Sequence, residues 1–154
     1  MSLYLMIDRQ HIISDLPENE LLQQWASSAY SLNKAGDTAE AALLIVDEAS
    51  ITQYNRDYRQ QEKATNVLSF PANLSAIDGI VQLGDIIACA SVIHAEAKEQ
   101  DKTIHAHWAH MMIHSVLHLQ NHDHSNKQTA QSMEALEISL LKEFGFSNPY
   151  LSVS

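Results

Sequence analysis

Three histidines in the last third of the chain have the spacing of a metal site. They are His114, His118 and His124, in the run His114-Ser-Val-Leu-His118-Leu-Gln-Asn121-His-Asp-His124. Four residues separate the first two. On a helix this places them on one face, one turn apart, near enough to share an ion. His124 comes six residues later, and a continuing helix at about 100° per residue would swing it about 240° away from His118. It returns only if the helix stops and the chain bends. Asn121 stands where that stop is needed, and asparagine follows glycine in tolerating the left-handed conformation that ends helices. A helical pair plus a third histidine after a turn would make an open three-nitrogen site with one coordination position left over. Neutral imidazole suits zinc, nickel, copper and iron, so the residues leave the element open.

Seven of the nine histidines fall between His105 and His124, and most histidines in proteins ligate nothing. The trio differs because three imidazoles gathered at a helix end without an ion would form a poorly solvated cluster. His110 offers a rival set, since His110, His114 and His118 form an i, i+4, i+8 ladder. A straight helix spreads the outer two too far for one ion at about 2.0–2.1 Å per bond. His110 is therefore expected to pack beside the ligands or support them. Asp123 would either accept a ring N–H and orient a ligand, or cap the turn. His94, His105 and His107 are expected to face solvent. Positions one, five and eleven also match the metzincin proteases. Those enzymes need a glutamate base after the first histidine, where this chain has Ser115. Serine cannot take a proton from activated water near neutral pH, so a metallohydrolase of the peptidase kind is the weaker alternative.

A second dense stretch is Asn55-Arg-Asp-Tyr-Arg59, then Lys63, then Thr65-Asn-Val-Leu-Ser-Phe-Pro71. Arg56, Arg59 and Lys63 are three of only nine basic side chains, and arginine offers a planar fork of donors suited to phosphate. The competing reading is a solvated helix end. Asp85, after Gly84 on an apolar stretch, is either a buried structural acceptor or an acid/base group.

These residues need a frame. Leu3 to Ile7 reads as a strand. Pro17 to Asn33 has helical spacing, with Asp15 as its cap and Gly36 as its stop. Ala41 to Val46 reads as a buried strand, and Asp47 to Asp57 as a short helix capped by Asp47 or Ser50. Thr65 to Phe70 and Leu83 to Ala90 read as strands, with a turn at Asp78-Gly79 between them. Helices follow from Ser91 to about Gln100, Thr103 to about Leu119, and Asn126 to Phe144, with a break at Asp101-Lys102 and a stop at Gly145. Strands come first and helices after, which predicts an α+β fold of about four strands with helices packed on the sheet.

A length of 154 residues favours one domain spanning 1–154. One cysteine, Cys89, rules out an internal disulfide and suits a reducing compartment. No secretory leader or membrane-length apolar run is evident, so the cytoplasm is the expected location. The net charge of −10 argues against a generic nucleic-acid-coating surface. Any nucleic-acid contact must be local or assisted by a partner.

Three blocks occur in order between about residues 55 and 124: Arg59 with Thr65-Asn66-Val67-Leu68-Ser69-Phe70-Pro71, then Leu83-Gly84-Asp85-Ile86, then His114, His118-Leu119 and Asp123-His124. Together they resemble the YbeY family of bacterial metal-dependent endoribonucleases. The resemblance implies an α+β fold and a cytoplasmic protein. It implies a role in ribosomal RNA maturation, including the 3′ end of the small-subunit RNA, and in ribosome quality control. It implies one divalent ion, usually taken as zinc, on His114, His118 and His124, with Arg59 as the matching arginine. Arg56 and Lys63 are RNA-binding candidates beside it. Where the family usually has two glycines and a tyrosine, this chain has Ser115, Asn121 and His122. Metal-activated water or the RNA 2′-hydroxyl would attack the phosphodiester, since the motif holds no carboxylate base. A ribosome-assembly factor with a structural metal is the alternative; its acidic charge would suit a basic protein of the small ribosomal subunit.

Overall fold

A computed structural model describes residues 3–31, 38–72, 76–120 and 127–151. His124, with Asn121, His122 and Asp123, lies outside the described residues, as does the expected stop at Gly36. In chain order the elements are β1 (Leu3–Arg9), α1 (Asn19–Ser28), β2 (Thr38–Val46), α2 (Glu48–Arg59), β3 (Val67–Pro71), β4 (Ala76–Ile77), β5 (Ile80–Cys89), α3 (Ala90–Glu99), α4 (Ile104–Leu119) and α5 (Lys127–Glu143). The fold is α+β.

The sheet runs β1-β2-β5-β3, with the short β4 pairing β5. β1, β2 and β5 are parallel, and β3 runs antiparallel to β5. β4 and β5 form a hairpin on Asp78 and Gly79, both at positive φ (53° and 76°), as a two-residue turn between twisted strands requires. That hairpin starts β5 at Ile80, three residues before the expected Leu83. The polar Gln82 hides the extension: it is exposed and donates to Glu40 across the strands at 3.1 Å. Helix α1 begins at Asn19 with Glu18 at its cap position; Asp15 is instead a turn residue at φ 66°.

Apolar side chains fill both faces of the sheet. On one face, α1, α4 and α5 contribute Leu22, Trp108, Met112 and Met133 to the larger core. On the other, Ile51 of α2 packs with Val46, Leu68, Ile87 and Cys89. Helix α4 is buried nearly all round between α1, α3, α5 and β3, so its apolar residues occupy every face between the histidines. Its start is fixed by Thr103, whose hydroxyl accepts from Ala106 N at 3.0 Å, after a break at Asp101 (φ 55°). Its end is tied to the end of α1: Gln120 accepts from Ser31 N at 2.8 Å and donates to Ala29 O at 2.7 Å. Among the described residues, no helix is long and apolar enough to cross a membrane.

Candidate functional site

The two histidines spaced one turn apart meet as their spacing requires. Nε2 of His114 lies 3.1 Å from Nε2 of His118, and the ring centroids are 4.5 Å apart. Both line a cleft of about 630 Å³ together with Arg59 and the β3 stretch. The cleft sits at the β3 end of the sheet, where α2 reaches in from one face and α4 from the other.

Local chemistry holds each wall. Asp47 caps α2 by accepting from Ser50 N at 2.8 Å. At the other end Gln60 takes a left-handed conformation (φ 54°), so the chain leaves the helix directly after Arg59. Buried Asn55 then donates to Lys63 O at 3.0 Å, pinning the following loop. Asn66 anchors the start of β3: its side chain accepts from Val67 N at 2.6 Å and donates to Glu96 at 3.0 Å. Glu96 also contacts His107 Nε2 at 2.9 Å. The chain Asn66–Glu96–His107 thus ties the cleft wall to α4 two turns before His114. Beneath this wall Gly84 passes so close to β3 that a Cβ would sit 2.2 Å from Phe70 O, and its φ is +135°.

His107 is therefore buried, and His94 is half-buried, accepting from Trp108 Nε1 at 2.9 Å. Both were expected in solvent. Each is drawn inward by a partner, Glu96 or Trp108, that its own position in sequence does not reveal. His105 is exposed, its ring edge-on to Trp25.

Behind the facing histidines lies a fully buried carboxylate. Glu137 of α5 contacts His110 Nε2 at 2.7 Å, His114 Nδ1 at 3.2 Å and the Tyr150 hydroxyl at 2.5 Å. Burial alone would raise its pKa. Hydrogen bonds from His110, His114 and Tyr150 outweigh that and hold it well below the usual carboxylate range. Burial, with Glu137 beside it, pushes the Tyr150 hydroxyl up, so it stays a donor. Burial pushes His110 down. An ionised carboxylate only accepts, so His114 donates through Nδ1–H and its Nε2 carries the lone pair. This is the tautomer that a ligand histidine needs. Nε2 of His118 stands 3.1 Å from Nε2 of His114, a separation that suits an ion at about 2.0–2.1 Å from each nitrogen. His110, His114 and Glu137 themselves bring one ligand atom each within 4.8 Å of one another and could also hold a cation.

Glu137 is not among the residues that the motifs single out. Its signal was present: Glu137 falls four residues after Met133 and four before Leu141, on the face that α5 buries.

Arg56 is turned to Asp57 (3.5 Å) and Glu62 (3.8 Å). It is not among the residues lining the cleft, and neither is Lys63. Asp85 is exposed, which removes the buried-acceptor reading. It lines a neighbouring cavity with Tyr54 and Tyr58. Ser115 is fully buried and does not line the cleft, so it has no access to a bound substrate.

The family model described as Endoribonuclease YbeY matches residues 6–145. A Cellvibrio japonicus protein named Endoribonuclease YbeY is 46% identical over 135 residues, covering 88% of this chain and 76% of that one. A Thermotoga maritima protein solved in solution shares the fold, with a TM-score of 0.55 and 23% identity over 92% of each chain.

Proposed function

The chain belongs to the YbeY endoribonuclease family, and on that premise we propose that it is a metal-dependent endoribonuclease cutting single-stranded ribosomal RNA. Its work would be maturation of the small-subunit RNA 3′ end and ribosome quality control in the cytoplasm, carried by one domain. The observation that carries this reading is the shared cleft, which Arg59 lines together with the facing His114 and His118.

His114 and His118 would hold the ion through Nε2, with His124 as third ligand. Zinc is the expected metal by family, and nickel or another transition metal is compatible with the donors. When bound, the ion supplies Lewis acidity toward a phosphate oxygen or an attacking water. The chain supplies the rest. Glu137 keeps the His114 proton on Nδ1. Arg59 grips the phosphate and offsets the charge that builds on its oxygens as the bond breaks. No carboxylate is among the described residues lining the cleft. The nucleophile is either the RNA 2′-hydroxyl, leaving cyclic phosphate ends, or water, leaving none. Product-end mapping separates the two.

The test is cleavage of a single-stranded ribosomal RNA fragment by Arg59→Ala and Arg59→Lys. Arg59→Ala should keep its metal and lose about 10²–10³ in rate, the usual effect of removing one transition-state donor. Arg59→Lys should recover part, since it restores charge without the fork. Unchanged cleavage by Arg59→Ala would contradict the reading.

One observation favours a second reading. The charge of −10 fits a basic ribosomal protein better than naked RNA, as expected of an assembly factor with a structural metal. RNA cleavage that survives stringent purification and disappears in Arg59→Ala would dismiss it.

A further inference from the structure

Beside the cleft lies a second cavity of about 370 Å³, lined by Leu44, Tyr54, Tyr58, Phe70, Asp85 and Ile87. Tyr58 and Phe70 line both spaces, so the two are neighbours that share these side chains. Tyr58 is 63% exposed. Its ring stacks on Tyr54 with centroids 6.5 Å apart and meets Phe70 edge-on at 5.0 Å. The result is a braced aromatic ledge open to solvent, one residue before Arg59 in the chain.

Each part of a nucleotide has different needs. A phosphate would be repelled by Asp85 and finds its cation at Arg59, which lines the neighbouring cleft and not this cavity. A ribose gains little from aromatic walls. A base gains from them, because every base has a π-face that stacks on tyrosine, and an exposed carboxylate accepts hydrogen bonds from a base edge. We infer that this cavity is a nucleobase subsite. It takes the base of a nucleotide flanking the phosphate held at Arg59, with Tyr58 and Phe70 as its stacking surface and Asp85 as its acceptor. The acceptor selects among bases. Guanine presents N1–H and N2–H side by side, matching the two oxygens of a carboxylate. Uracil presents a single N3–H flanked by carbonyl oxygens, which a carboxylate repels. The subsite therefore favours guanine and disfavours uracil. The inference rests on the endoribonuclease reading and adds a sequence preference to it.

The test uses the metal-loaded full chain on a randomised single-stranded RNA pool, with cut positions read by sequencing the product ends. Wild type should show guanine over uracil by at least about fivefold at one fixed position beside the cut. Asp85→Asn should lose most of that bias. Tyr58→Ala should lower total cutting by about fivefold or more, the scale of one lost base stack, and Tyr58→Phe should retain it. Both side chains are exposed, and a thermal melt confirms that each variant is folded. A wild type that cuts freely but shows no base bias, or a bias that Asp85→Asn leaves intact, overturns the subsite alone. A metal-loaded wild type that cuts no RNA overturns the endoribonuclease reading and the subsite with it.

Discussion

Glu137 grips His114 from inside the protein, its Oε2 3.2 Å from Nδ1, while Nε2 of the same ring faces His118 at 3.1 Å. A buried carboxylate on one helix thus sets the tautomer of a histidine on another, and that tautomer decides which edge meets a cation. Glutamine at position 137 has the same shape but carries an NH2 group. Turning its oxygen to His114 would aim that NH2 at His110 Nε2–H, donor against donor, and would take away the acceptor of the Tyr150 hydroxyl. Glu137→Gln should lower metal affinity by about 10–100-fold, the usual cost of losing such a supporting contact. A chelator-competition titration on folded protein checks this, and unchanged affinity would remove Glu137 from the site.

The same titration separates two ligand sets. If His114 and His118 hold the ion, His118→Ala abolishes binding and His110→Ala only weakens it. If the buried group of His110, His114 and Glu137 holds it, the order reverses.

His94 predicts a pH effect on stability. Burial, chiefly, lowers its pKa below 6.5, and its Nε2 must stay unprotonated to accept from Trp108. Below about pH 6.5 the unfolded chain therefore takes up a proton that the folded chain refuses. Stability falls as pH drops through that value and levels off once the folded ring is also protonated. His94→Gln, which keeps an acceptor but does not titrate, should show a shallower loss between pH 7 and 5 in thermal melts. Parallel curves would show that His94 contributes no linkage.

Gly84→Ala should destabilise strongly. The added Cβ would meet Phe70 O at 2.2 Å, and the positive φ resists any side chain. A loss on the order of 3 kcal/mol or more is expected, in the range of severe backbone strain, and denaturant unfolding measures it. A near-neutral result would mean that β3 can move away from β5.

Ser115→Ala should do the opposite. The Ser115 hydroxyl is fully buried with no hydrogen-bond partner among the described residues. Removing an orphaned buried hydroxyl and placing a better helix former mid-helix should gain about 1 kcal/mol or more. A lower melting temperature would reveal a partner for that oxygen.

Much of this was legible from local chemistry. Asp47 as a cap, the Asp78-Gly79 turn, the break at Asp101 and the stop at Gly145 are each dictated by a residue and its immediate neighbours. The i, i+4 spacing of His114 and His118 fixes their meeting on any helix. Tertiary partners were not legible. Nothing in the stretch around His107 or His94 announces Glu96 or Trp108, and the companion of His114 lies 23 residues away on α5. Arg56 and Arg59 look alike in sequence. Only the left-handed exit at Gln60 and the acidic neighbours of Arg56 divide one for the cleft from one for solvent. The bend that would return His124 to the site falls outside the described residues.

The most direct test of the account measures metal content and RNA cleavage on one preparation: as purified, after chelation, and after the ion is restored, for wild type and His118→Ala. Wild type should carry about one transition-metal ion per chain, lose cleavage with the ion and regain it on reloading. His118→Ala should hold no ion and cut nothing in any of the three states. Full cleavage by metal-free wild type, or by metal-free His118→Ala, would contradict it.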